Sequence, residues 1–338
     1  MDIRAIVLAA GKGTRMHSIL PKCAHQIIDK AMVEYVVDAL KALNIDEIIT
    51  VVGYKREILE NILLNKTKFA YQEEQLGTAH AVLMTEKYLL NYDGLTLIAI
   101  GDMPLITPST YAKLIAHHAQ TRADLTVLTT LHPNPFGYGR IVRSPNGDIE
   151  RIVEEKDCTE EQRLIHEINS SVYLVDNQKL FSAIHEIKNN NVQKEYYLTD
   201  IISIFKRRGY KISGYQADDF QELNGANDKL QLAQMEACLQ QKIIEKHLLA
   251  GVSIHHPQTV VIGVNVQIES GSIILPGSIL IGNSYIAKNS VIGPYSEINN
   301  AKIGSGTIIK YSRIKDSEIG DNVVIGPYAE IIDNEARR

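Results

Sequence analysis

Between Ile262 and Ile298 a branched aliphatic side chain returns at every sixth position, through Ile268, Ile274, Leu280, Ile286 and Ile292. After a slip the spacing resumes at Ile319, Ile325 and Ile331, and the residues between are rich in glycine and asparagine. An ordinary meander of short strands would not hold seven successive positions at one spacing. Hexads of this kind mark a solenoid in which each repeat packs only on its neighbours, so residues 251–338 are predicted to form a left-handed parallel β-helix.

The preceding residues follow a different rule. Up to about residue 226, apolar runs such as "AIVLAA", "EIITVVG", "LTLIAIGD" and "ADLTVLTT" alternate with helical stretches such as "AMVEYVVDALKAL". That alternation predicts an α/β fold, a Rossmann-like, mainly parallel sheet wrapped by helices, over residues 1–227. From Asp228 to about Ala250, "DKLQLAQMEACLQQKIIEKHLLA" has apolar residues three and four apart and no Gly or Pro, which predicts one long connecting helix over 228–250.

Composition narrows the function classes. With 338 residues and 45% hydrophobic content the chain is long enough for two cores. A net charge of −5 gives no overall attraction to nucleic acid or to an acidic membrane. No charged leader with an apolar core opens the sequence and no stretch approaches eighteen apolar residues, so a cytoplasmic protein without a membrane partner is expected. Cys23, Cys158 and Cys238 are odd in number, far apart and without CxxC spacing, which predicts free, buried thiols. His117-His118 falls on a helix expected to be exposed and His255-His256 in a linker, neither with a third ligand at metal-binding spacing.

The chemistry is concentrated in "LAAGKGTRMHSILPK", residues 8–22, directly after the apolar run "IRAIV". Loops at the C-terminal ends of parallel strands converge where ligands bind. Glycines there let backbone N–H groups approach an anion, and Lys12, Arg15 and Lys22 add positive charge, so a polyphosphate fits best. Two common phosphate motifs do not match: the P-loop lacks its Gly-Lys-Ser/Thr, and the dinucleotide fingerprint has Met16 where its third glycine belongs.

Leu8, Gly11, Gly13, Arg15, Pro21 and Lys22 reproduce LxxGxGxRxxxxxPK, the signature of the sugar-1-phosphate nucleotidyltransferases. "QEEQLGTAHA" (72–81), "IGDMPL" (100–105), "FGYGRIV" (136–142), "IVEEKDCTEEQRLIHEIN" (152–169), "NNNVQKEYYLTDII" (189–202) and "LNGANDKLQL" (223–232) follow in order. With the hexads, they make the chain resemble the bacterial bifunctional enzymes that join an N-acetylglucosamine-1-phosphate uridylyltransferase to a glucosamine-1-phosphate acetyltransferase. The resemblance implies attack by the phosphate of N-acetylglucosamine 1-phosphate on the α-phosphorus of UTP, giving UDP-N-acetylglucosamine and pyrophosphate. It assigns catalysis to Arg15, on the departing pyrophosphate, and to Lys22, on the α-phosphate side. It places the nucleotide against Leu8, Ala9, Ala10, Gly11, Gly13, Gln72, Gln75, Gly77 and Thr78. The sugar falls to Gly101, Gly139, Glu154, Asn169, Tyr197 and Thr199. Mg2+ goes to Asp102 and Asn227, both hard oxygen donors. A homotrimer through the β-helix is the implied assembly.

The chain departs from the family at several points. Ile100 precedes Gly101-Asp102 where the family has Tyr, and Asn169-Ser170-Ser171 stands for Asn-Thr-Gly, which leaves the preferred sugar and nucleotide open. The family's solenoid continues for more than a hundred residues and carries the acetyl-CoA site, whereas this sequence stops at Arg338, with Ile332 where the first acetyltransferase arginine belongs. A short form without acetyltransferase activity is therefore expected. The alternatives are a pyrophosphorylase for a related sugar 1-phosphate or another NTP, a hexapeptide acyltransferase, and a non-catalytic nucleotide-sugar-binding regulatory subunit. Retention of Arg15, Lys22, Asp102 and Asn227 together speaks against the last.

Overall fold

The computed structural model describes residues 2–45 and 47–337. It divides into two compact units, one of Met1–His25 and Ala31–Gln231, the other of Gln26–Lys30 and Leu232–Arg338.

The first unit is built on a nine-stranded sheet. Its strands are β1 (Ile3–Leu8), β2 (Ile48–Val52), β3 (Lys68–Tyr71), β4 (Leu95–Ile100), β5 (Leu125–Leu131), β6 (Gly139–Arg143), β7 (Ile149–Val153), β8 (Glu167–Asp176) and β9 (Ile212–Gln216). The order runs β9-β5-β8-β4-β1-β2-β3, with β6 pairing to β8 and β7. β1 lies between β2 and β4, parallel to both, and its last residue Leu8 faces Val51 on one side and Ile100 on the other. The chain leaves β1 toward β2 and β3, then returns to β4 on the far side of β1, so a crevice opens at the C-terminal end of β1.

Ala5, Ile6 and Val7 are fully buried, as expected of a strand covered on both faces. Ile6, Ile98 and Tyr173 join the core on one side of the sheet, and Ala5, Val7, Leu97, Ala99 and Leu174 the core on the other, following the period-two alternation of strands. β8 runs antiparallel to both β4 and β5. Its pairing with β5 slips between Asn169 and Tyr173, a bulge at the edge of the crevice.

Helix Pro108–Thr121 corrects one expectation: His118 is buried, with Nδ1 2.8 Å from the Thr126 hydroxyl. Tyr111, Leu114 and His118 follow at helical spacing and form the inward face. Cys23, Cys158 and Cys238 form no disulfide among the described residues, the first two being buried and the third partly so. Among the described residues no helix is long and apolar enough to cross a membrane.

The second unit holds the solenoid, which follows the helix Lys229–Leu249. Three sheets of short strands, parallel except for the antiparallel last strand Glu335–Arg337, form its walls, and Ile262, Ile274, Leu280, Ile286, Ile292, Ile298, Ile309 and Ile314 fill the interior with at most 1% exposure. Ile262 pairs with Leu280 and Leu280 with Ile298, eighteen residues per coil, which is three hexads. The slip in the sequence is a shortening of corners: Ile298 pairs with Ile314 and Ile309 with Ile325, only sixteen residues on. The corners after Ile298, Ile309 and Ile314 each lose one residue while the stacking of aliphatic side chains continues. Asn300 and Asp316 turn two of these corners with φ of 51° and 46°, and Asn300 Nδ2 donates to Asp316 Oδ1 at 2.7 Å. Asparagine and aspartate tolerate this left-handed backbone better than other side-chain-bearing residues.

Two expectations change at the solenoid's start. His255 and His256 are not in a linker, because Ser253–Ile254 already pairs in parallel with Ile273–Ile274 and these histidines turn the first corner. Residues 26–30 belong to this unit although they lie early in the sequence. Asp29 Oδ2 accepts the Gly282 N–H at 2.9 Å, and a Cβ on Gly263 would lie 2.6 Å from the same oxygen.

Truncating a fully buried rung removes contacts that nothing else replaces. Leu280→Ala is expected to cost about 2–5 kcal/mol. Val324→Ala, on a side chain 70% exposed, is expected to cost no more than about 0.5 kcal/mol. Urea titration followed by circular dichroism compares the two.

Candidate active site

The loop after β1 is shaped by its glycines. Gly13 takes φ +67°, and a Cβ there would come within 2.7 Å of Lys22 Cβ, so only glycine lets the start and end of this loop close on each other. A Cβ on Gly11 would meet nothing within 4 Å, and this residue lines the crevice with its backbone open to a ligand.

That crevice is a cleft of about 360 Å³ lined by Leu8, Ala9, Ala10, Gly11, Lys22, Cys23, Gln72, Gln75, Gly77, Thr78, Ala81, Ile100, Asp102, Ser171 and Glu195. At one side the Lys22 ammonium contacts Asp102 Oδ2 and donates to Asn227 Oδ1 at 2.7 Å. Arg15 Nη2 donates to the same Asn227 oxygen at 3.0 Å. Asp102 follows β4, Asn227 precedes the helix at Lys229, and the Ala226 N–H reaches the Asp102 carbonyl at 3.4 Å. Asp102 Oδ1 is buried without a hydrogen-bond partner. Two hard oxygens held together by an ammonium, one carboxylate oxygen unsatisfied, form a place suited to a cation. Among the described residues no group of three or more His, Cys, Asp or Glu is placed to hold a metal, so an ion here would take its remaining ligands from phosphate and water.

Gln72 is 3% exposed, and its Nε2 lies 3.0 Å from both the Gly77 carbonyl and His80 Nδ1. Both amide protons are therefore engaged within the protein, leaving only the oxygen for a ligand. Gly77, at φ +116°, abuts the Tyr196 carbonyl so closely that a Cβ would lie 2.5 Å from it. The Thr78 hydroxyl accepts the Leu198 N–H at 2.9 Å, so the segments around 77 and 197 are locked together.

A second cleft of about 210 Å³ opens beyond, lined by Leu8, Thr78, Glu154, Ser171, Tyr173, Gln193, Glu195, Tyr197, Leu198 and Thr199. Leu8, Thr78, Ser171 and Glu195 line both clefts, which makes them one continuous site. Within it, burial pushes Glu154 up to about 7, a hydrogen bond from Thr199 and the Arg140 charge oppose the shift, and Asp157 and Asp200 add to it. The Tyr197 hydroxyl is buried and without a partner, and burial also raises its pKa.

Of the residues expected from sequence, Gly13, Arg15, Gly101, Gly139, Asn169 and Asn227 do not line either cleft. Gly101 and Gly139 sit where a Cβ would be tight, 3.1 Å from Cys23 Sγ in the first case and 3.2 Å from Ile152 Cγ2 in the second. Lys12 lies outside the clefts, with its ammonium 5.2 Å from the Tyr54 ring centroid. Cys23, Ala81, Glu195, Tyr173, Gln193 and Leu198 were not singled out in advance, although Gln193, Glu195 and Leu198 stand in the quoted run "NNNVQKEYYLTDII". Ser171, a departure from the family pattern, lies at φ +59° inside β8, a left-handed backbone that costs a non-glycine residue on the order of 1 kcal/mol.

The comparisons with known proteins agree with this architecture. Residues 5–170 match the MobA-like NTP transferase domain, and residues 265–300 match the bacterial transferase hexapeptide repeat. The chain is 46% identical over 314 residues to the bifunctional protein GlmU of Geobacillus sp. (strain WCH70), covering 93% of this chain and 68% of that protein. It is 46% identical over 317 residues to GlmU of Staphylococcus haemolyticus, covering 94% and 70%, and 44% identical over 317 residues to GlmU of Pediococcus pentosaceus, covering 94% and 68%.

The raised Glu154 pKa carries a sign. The unfolded glutamate titrates near about 4.3, so the folded state binds the extra proton between that pH and about 7. Its contribution is favourable at low pH and is lost as pH rises through 7. Glu154→Gln is therefore expected to stabilise the ligand-free protein by roughly 2–3 kcal/mol more at pH 8 than at pH 4.5. Urea midpoints at the two pH values measure it.

Proposed function

Because the chain belongs to the family of the bifunctional GlmU proteins, and on that footing is a UDP-N-acetylglucosamine diphosphorylase, we propose that the two joined clefts bring UTP and N-acetylglucosamine 1-phosphate together for uridylyl transfer. The observation that carries this reading is the cationic corner of the larger cleft, where Lys22 meets Asp102 and Asn227 with Arg15 beside them.

A phosphate oxygen of the sugar phosphate attacks the α-phosphorus of UTP. The bond between that phosphorus and the oxygen bridging to the β-phosphate breaks, and its electron pair leaves with pyrophosphate. The nucleophile is already ionised, so no protein base is needed; the protein's task is to position two anions and offset their repulsion. Backbone N–H groups of residues 10–13 face the triphosphate, with Arg15 on the departing pyrophosphate and Lys22 on the α-phosphate. Gln72 offers its oxygen to the N3–H of uracil, a pairing supported by the engagement of both its amide protons elsewhere. Glu154, Tyr197 and Thr199 face the sugar hydroxyls and acetamido group.

Asp102 and Asn227 would hold Mg2+, which when bound neutralises charge on the phosphate oxygens. The Lys22 ammonium now rests between the same two oxygens. In the protein alone it stands in for such an ion; a divalent cation held by Asp102 and Asn227 would leave Lys22 free to face the α-phosphate. The hexapeptide solenoid is assigned to trimer formation, which light scattering checks.

The reaction is tested with purified protein, Mg2+ and inorganic pyrophosphatase, each NTP being offered with N-acetylglucosamine 1-phosphate or glucosamine 1-phosphate while phosphate release and product mass are followed. Selective use of UTP with the acetylated sugar is expected, and Asp102→Ala should lower kcat by roughly 10²-fold or more. Absence of turnover with every pair, in folded protein, overturns the assignment. The stand-in role of Lys22 has its own readout: without nucleotide, Lys22→Met should bind Mn2+ more tightly than wild type by electron paramagnetic resonance. Lys12→Met, which removes a charge outside the cleft, should leave that affinity within about twofold.

A further inference from the structure

Ser171 is the one non-glycine residue inside a strand, among those described, that holds a left-handed backbone, and it sits where β8 bulges beside the crevice. It is only partly buried and lines both clefts, so its side chain stands at their junction. The conformation is locked from one side: the Ser171 N–H donates to Asn169 Oδ1 at 3.0 Å. Asn169 Nδ2 in turn donates to the Tyr173 hydroxyl at 2.9 Å and reaches the Ser171 hydroxyl oxygen at 3.4 Å. Asn169 is 3% exposed and lines neither cleft. Its amide is thus spent on Ser171 and Tyr173 of the same strand, and what this place presents to the site is the Ser171 side chain.

A strained backbone that is maintained at a ligand site calls for a reason connected with the ligand. We propose that Ser171 is a specificity-determining residue for the sugar 1-phosphate: its Cβ and hydroxyl narrow the junction between the clefts and favour a compact substituent on the sugar over a bulkier one. The mechanism is steric in the first place, because the added atoms project into the shared lining of a cleft of only about 210 Å³. Hydrogen bonding is secondary, since the hydroxyl replaces an Asn169 amide that is otherwise engaged.

This inference rests on the nucleotidyltransferase reading and is tested apart from it. Wild type, Ser171→Gly and Ser171→Ala are assayed with UTP against N-acetylglucosamine 1-phosphate and its N-propionyl and N-butyryl analogues. Ser171→Gly relieves the backbone and removes the side chain, so it folds at least as well as wild type. It is expected to raise kcat/KM for the larger analogues relative to the acetyl sugar by about tenfold, through KM rather than kcat. Ser171→Ala keeps the Cβ and should shift that ratio by less than half as much. A ratio within twofold of wild type in Ser171→Gly overturns the proposal. If wild type turns over none of these sugars, the proposed function fails, and the same ratio is then taken from calorimetric Kd values for the three sugar phosphates, with the same threshold.

Discussion

The Lys22 ammonium ties together three parts of the chain that nothing in local sequence would join. Its partners Asp102 and Asn227 lie 80 and 205 residues away, at the end of β4 and at the start of the long helix. A carboxylate at the end of a buried strand is costly unless a charge or donor meets it. Meeting it requires the loop after β1 to fold back so that Lys22 returns to the crevice, and that return passes so close to residue 13 that a side chain there is excluded. The close approach at Gly13 and the position of the polar corner thus go together with the return of Lys22 to the crevice. The same corner is suited to phosphate chemistry because Lys22 and Arg15 set two positive charges against the single carboxylate of Asp102, an excess that a polyanion would offset.

What could be seen in the sequence was what short-range physics controls. Aliphatic hexads report the interior of a solenoid directly, because each coil repeats the same packing problem. Alternating strands and helices likewise announced the α/β unit, and the loop of residues 8–22 showed where its ligands gather. What could not be seen depends on pairings set by the whole fold. β8 runs antiparallel between β4 and β5, a choice made by connections far from its own residues. His118 is buried because of the sheet its helix rests on, whereas the helix alone would leave either face equally available. The slip in the hexads becomes intelligible only when corners are counted: shortened turns keep the wall registered while the linear spacing fails.

The site shows the same division. Lys22, Asp102 and Asn227 were legible from the order of motifs, and they come together. Gln72 was legible as a polar residue near the base but not as one whose amide protons are already used, because its partners Gly77 and His80 become neighbours only when the turn forms. Tyr173 lines the smaller cleft through tertiary placement that its sequence neighbourhood does not disclose. Ser171 stood out as an odd residue; its left-handed backbone emerged only with the bulge.

The inclusion of residues 26–30 in the second unit bears on how this chain can be divided. Linear order suggests a clean cut just before the long helix, with each half keeping everything it needs. Contacts draw another border, in which five residues from the beginning of the chain are stitched into the solenoid by Asp29 at Gly282. A fragment ending near residue 231 would carry that stitch with nothing to hold it, leaving a carboxylate without its backbone donor a few residues beyond Lys22. Gene fusion or exchange at this boundary therefore has to bring a matching corner glycine with it, and the two units are separable as shapes more readily than as inheritable modules.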